Sequence, residues 1–113
     1  MASRFLLLLA TVLVPVEALA ADGEALRRFG LASCLASAFG DSVAGNDARR
    51  AAGAYLERGD ASFEAYEAVA ALADEALAHA DPAKHGAPIA TLACIDFYES
   101  PRLRALIDRR RGG

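Results

Sequence analysis

Apolar positions along this 113-residue chain recur at helical intervals, and no window alternates strictly between polar and apolar residues. From Asp22 to Phe39, steps of three and four bring Leu26, Phe29, Leu31, Cys34, Leu35, Ala38 and Phe39 near one broad face. Gly40-Asp41 ends this first helix, as expected for a glycine just past a C-terminus. A second helix is predicted from about Asn46, a good N-cap, to Leu56, with Ala48, Ala51, Ala52, Tyr55 and Leu56 on its apolar side. After the turn at Gly59-Asp60, Ser62 can cap a third helix, and Glu64 sits in its first turn, where the helix dipole favours an acid. Ala65, Tyr66, Val69, Leu72, Ala73, Ala76 and Leu77 form its apolar stripe, while Glu64, Glu67 and Asp74 make an acidic ridge opposite.

Residues 79–88 (HADPAKHGAP) are irregular, punctuated by Pro82, Gly86 and Pro88. A fourth helix is predicted over Pro88 to Glu99, with Ile89, Leu92, Ile95, Phe97 and Tyr98 expected to be buried. Ser100-Pro101 opens a fifth, Ser as N-cap and Pro in the first turn, packed by Leu103, Leu106 and Ile107. Arg109, Arg110 and Arg111 fall in its last turn, where cations offset the dipole. The expected fold is all-α, a compact bundle of about five short helices.

The N-terminus carries a different pattern. Arg4 precedes ten largely apolar residues, Phe5 to Val14; Pro15 breaks the run, and Ala18-Leu19-Ala20 follows. That order of charge, apolar run and small residues reads as a cleaved secretory signal over residues 1–20. The run is shorter than the roughly 20 residues a membrane span needs, and no other stretch approaches that length. Cleavage leaves one domain of 93 residues, 21–113. A chain this short, without Trp and rich in alanine, builds a marginal core, so a disulfide or a dimer is expected to reinforce it. Its two cysteines, Cys34 and Cys94, read as one disulfide in an exported chain, closing a loop of 60 residues.

Charge is unevenly spread. The net charge is −3, against the basic balance usual for a duplex nucleic-acid binder. Seven acids and one base lie between Glu57 and Asp81, and five arginines with one acid follow Pro101. The acidic middle is either a solvated helix face or a surface for a basic protein partner.

Candidate chemistry is sparse. A cysteine nucleophile with His79 or His85 as base is disfavoured, because a disulfide consumes both thiols and neither cysteine is flanked by a glycine-rich turn. The two histidines, six residues apart, do not share a helix face, and zinc would need further ligands. There is no phosphate loop or Gly-rich nucleotide fingerprint. No catalytic residue, metal site or cofactor is expected.

The stretch Cys94-Ile95-Asp96-Phe97-Tyr98-Glu99-Ser100-Pro101-Arg102-Leu103 resembles the "Cys-Leu-Asp-Leu/Phe-Tyr-x-Ser-x-x-Leu" segment of the type VI secretion amidase immunity proteins of the Tai4 type. Ala32-Ser33-Cys34-Leu35 resembles that family's first-helix cysteine, and Gly59-Asp60-Ala61-Ser62-Phe63-Glu64-Ala65-Tyr66 its turn and helix start. The resemblance implies a small helical homodimer in the periplasm that inhibits a papain-like amidase of peptidoglycan stem peptides. It implies structural roles for Asp96, Tyr98, Ser100 and Leu103. It also implies partner contacts from an acidic helix face and a loop ahead of the last cysteine. By position these are Glu64, Glu67 and Asp74, and a loop containing Asp81, Pro82, Lys84 and His85. The alternatives are a small periplasmic acid-stress chaperone, which is also helical and single-disulfide, and an inhibitor of another secreted hydrolase.

Overall fold

The computed structural model describes residues 16–81 and 86–111, with side chains over 23–81 and 86–110. Residues 1–15, and with them most of the expected signal, lie outside the described residues, as do Pro82, Ala83, Lys84 and His85. Five helices follow one another: α1 (Val16–Phe39), α2 (Val43–Arg58), α3 (Phe63–Ala78), α4 (Ala90–Tyr98) and α5 (Pro101–Arg111). Among the described residues there is no strand. The helix α1 runs without a break through Ala18-Leu19-Ala20 into the domain.

The long helix α1 is the axis of the fold. It packs against each of the other four, and α3 packs in turn on α4 and α5. The core cluster is built from Leu26 and Cys34 of α1, Ala65, Tyr66, Val69 and Ala73 of α3, Cys94 and Phe97 of α4, and Leu103 and Ile107 of α5. Phe29 meets Tyr66 edge-on, with ring centroids 5.0 Å apart. The helix α2 adds little to this cluster; it packs on α1, and its buried side chain is Ala52. Close approach of α1 to α3 and α4 depends on Gly30, where a Cβ would sit 2.8 Å from Val69 Cγ1 and 3.2 Å from Phe97.

Helix ends follow the expected chemistry, with one exception. Gly40 closes α1 at φ +54, a left-handed conformation that glycine adopts without steric cost. Ser62 caps α3 by accepting from the Ala65 N–H at 3.2 Å, and Ser100 Oγ accepts from Leu103 N–H at 3.2 Å. The exception is α2, which starts three residues earlier than expected. Ser42 is the cap, accepting from Gly45 N–H at 3.0 Å, and Asn46 instead takes a hydrogen bond from Arg49 at 2.7 Å. The two candidate caps, Ser42 and Asn46, compete four residues apart, and Ser42 also closes the turn after Gly40 by donating its N–H to the Gly40 carbonyl at 3.0 Å.

The largest departure from the sequence expectation is α4. It starts at Ala90, not Pro88, and only Cys94 and Phe97 are buried. Ile89, Leu92 and Ile95 were expected in the core but are 57%, 51% and 47% exposed. Nine residues make about two and a half turns, and the side that carries Cys94 and Phe97 is the side facing α1 and α3. The three aliphatic residues fall on the opposite side. Phe39 and Leu56, also expected on apolar faces, are 40% and 39% exposed near the helix ends.

Candidate functional site

The acidic ridge of α3 is on the surface. Glu64, Glu67 and Asp74 are all exposed, on the side away from the buried Ala65, Tyr66, Val69 and Ala73. They are not equivalent. Asp74 accepts a hydrogen bond from Ser37 Oγ of α1 at 2.8 Å, so its carboxylate is held in place. Glu64 and Glu67 make no such bond among the described residues. Glu75, next along the helix, pairs with Arg102 of α5 at 3.1 Å.

The ridge ends beside a groove. Leu72 and Ala76 of α3, Ile89, Leu92 and Phe97 around α4, and Arg102 of α5 are among the residues that line a space of about 520 Å³. His79, Asp81 and Asp96 stand at the same groove. His79 caps α3, and its Nδ1 lies 2.8 Å from the Glu75 carbonyl; because a carbonyl only accepts, that nitrogen carries the proton. Asp81 is exposed, and it is the last described residue before the candidate loop. Pro82, Lys84 and His85 lie outside the described residues.

The terminal motif holds the helices together. The disulfide joins Cys34 and Cys94, both fully buried, with Cα atoms 5.6 Å apart. Tyr98 donates its hydroxyl to Glu24 at 2.8 Å, and its carbonyl accepts from Arg27 Nε at 3.0 Å. The Arg27 guanidinium stacks 3.9 Å from the Tyr98 ring centre and reaches Glu99 at 3.3 Å. The bond to Glu24 holds the Tyr98 phenol above its ordinary pKa of 10.0, with burial and the nearby negative charge adding to the effect. Ser100 caps α5, and Leu103 is fully buried. Of Asp96, Tyr98, Ser100 and Leu103, only Asp96 is exposed, and it lies at the groove. The partners of Tyr98 on α1 were not expected from the sequence. Their signal was present in the spacing of Glu24, Arg27 and Arg28, which form ion pairs along one helix face at 3.7 Å and 3.3 Å.

Both thiols are consumed, His79 is tied to a backbone carbonyl, and no group of three metal-ligating side chains exists among the described residues. What the surface offers is shape and charge: a rigid acidic helix, and an apolar groove with carboxylates at its edge.

The comparisons with known proteins agree with that reading. The family described as type VI secretion system (T6SS), amidase immunity protein (Tai4) matches residues 24–107. Among solved structures, a chain of the Tae4/Tai4 effector–immunity system from Salmonella typhimurium, in its selenomethionine variant, is 36% identical. It superposes with a TM-score of 0.71, over 79% of this chain and 88% of that one. No curated protein sequence matches significantly. The match runs from the Glu24 that anchors Tyr98 to the Ile107 that closes the core, and on it the chain belongs to the Tai4 family of type VI secretion amidase immunity proteins.

Proposed function

We propose that this protein is a periplasmic immunity protein that binds a papain-like peptidoglycan amidase and occludes its active-site cleft, turning nothing over itself. The observation that carries the reading is the family match over residues 24–107, which contains the disulfide, the α3 ridge and the groove. In this reading residues 1–20 are removed on export, and the oxidising compartment closes the Cys34–Cys94 bond. A homodimer supplements a small alanine-rich core.

A papain-like site is a cleft with a Cys–His pair, and a rigid body lodged in it excludes substrate. The loop that starts at Asp81 enters the cleft, while Glu64 and Glu67 steer a basic effector surface into register. Replacing residues 81–85 by glycine and serine tests this. Circular dichroism should show the helices retained, and a cell-wall digestion assay should show the amidase released. Inhibition equal to that of the parent protein would exclude the plug, and absence of amidase binding by the parent would exclude the immunity reading.

A further inference from the structure

The helix α4 is fastened unevenly. Its C-terminal end is tied three ways: Phe97 is buried in the core, the Tyr98 hydroxyl reaches Glu24, and the Tyr98 carbonyl reaches Arg27. Its N-terminal half has one buried side chain, Cys94, bonded to Cys34 of α1. Ile89 ahead of it supplies no side-chain cap, and Ile89, Leu92 and Ile95 are already about half exposed. Lifting Ala90–Asp96 away from α1 would carry only one buried side chain of that segment, Cys94, into water. A helix of nine residues is also too short to hold itself together, since isolated helices below about 12–15 residues are marginal in water.

We infer that closing the Cys34–Cys94 bond is the redox step that docks α4. In the disulfide form α4 lies on α1 and α3. In the dithiol form Ala90–Asp96 lifts off, hinging ahead of Phe97, while α1, α2, α3 and α5 keep their packing. Leu103 and Ile107 hold α5 in the core without help from α4, and Arg102 ties it to Glu75 of α3. The groove at Leu72 and Ala76 has Leu92, Ala93 and Asp96 for its other wall, so it exists only in the oxidised chain. Closure is a thiol–disulfide exchange: a disulfide-bearing oxidant takes two electrons and two protons from the Cys34 and Cys94 thiols and leaves as a dithiol. Both cysteines are fully buried once joined, so the docked state resists reduction until the chain opens. Docking of this kind is a property of the fold, independent of what the protein binds.

Hydrogen exchange of the full mature chain, in its disulfide and dithiol forms, tests this. Dithiothreitol in mild urea, followed by removal of both without air, prepares the dithiol form, and thiol titration confirms it. In that form the amides of Cys94, Ile95 and Asp96 should be about a hundredfold less protected than those of Val69 to Ala73, through an opening that low urea hardly accelerates. In the disulfide form the two sets should lie within about tenfold of each other. Circular dichroism should show the dithiol form losing no more helix than α4 supplies. Cys34→Ala with Cys94→Ala should reproduce the dithiol pattern, and reoxidation of the dithiol chain should restore the protection of α4. A dithiol chain in which α3 and α4 exchange together overturns the proposal, because the bond then staples the whole domain. So does a dithiol chain that has lost its helical signal altogether, or one whose α4 amides stay as protected as in the disulfide form.

Discussion

The Tyr98 hydroxyl donates to the Glu24 carboxylate at 2.8 Å, joining residues 74 positions apart and fastening the end of α4 to α1. The bond raises the phenol pKa above 10.0 because ionisation would set a phenolate against a carboxylate. A tyrosine with a raised folded pKa contributes stability that is complete below its unfolded value of about 10, and that is lost as pH climbs through the folded value. Tyr98→Phe keeps the ring on which Arg27 stacks at 3.9 Å and removes only the donor. It should cost up to about 1 kcal/mol at pH 7, the lower part of the usual range applying because the pair is partly solvated. Urea denaturation of parent and variant at pH 7 and pH 11 checks it: the gap should close at the higher pH, and an unchanged gap would refute the linkage.

The helices were legible in the sequence because their signals are local. The stripe from Ala65 to Leu77 has a period that only a helix satisfies, and Ser62 and Ser100 cap where their positions suggest. The burial of α4 was misjudged from composition. Ile89, Leu92 and Ile95 have the composition of a core face, but the Cys34–Cys94 bond already expected from the two cysteines turns the opposite side of so short a helix inward. The acidic ridge could be read from spacing, but the Ser37 bond that singles out Asp74 depends on how α1 and α3 cross. The groove at Asp81 and Asp96 is likewise a tertiary product, assembled from three helices.

The turn before α3 is tightly fitted. A Cβ on Gly59 would overlap the Tyr66 hydroxyl oxygen, and Tyr66 is only 3% exposed, with Phe29 against its ring. Gly59→Ala should therefore lower stability by about 1–3 kcal/mol, the usual cost of overpacking. Gly53→Ala is the converse. That glycine is inside α2 with open space where its Cβ would go, so the change should raise stability by about 0.5–1 kcal/mol through helix propensity. Thermal melts of the two variants should move in opposite directions, and a destabilised Gly53→Ala would show that the local packing has been misjudged.

Cys34–Cys94 closes a separation of 60 residues across a small domain. Chain-entropy arithmetic for such a loop gives about 4 kcal/mol, so Cys34→Ala should lower stability by roughly 2–5 kcal/mol. The α4 segment should loosen first, since Cys94 and Phe97 are its only buried residues. Hydrogen exchange should show faster exchange over Ala90–Tyr98 than over α3 in this variant. Intact mass of the exported parent should show no free thiol and a start within a residue or two of Ala21. Free thiols in the exported protein would remove the basis for both expectations.

The ridge separates encounter from retention. Exposed charges at the edge of an interface act chiefly on the association rate. Glu64 and Glu67 suit this role better than Asp74, whose reversal would also break the bond from Ser37 and disturb the α1–α3 contact. Glu64→Lys with Glu67→Lys should slow association with the amidase by roughly tenfold at low ionic strength. The dissociation rate should change little. Raising the salt shortens the screening length from about 10 Å at 0.1 M to about 3 Å at 1 M, so parent and variant should converge there. Surface plasmon resonance at both ionic strengths measures each rate directly. A variant that dissociates faster while associating normally would place these two acids inside the bound interface and not at its rim. The steering role would then have to be carried by other acids of the Glu57–Asp81 segment, such as Asp60.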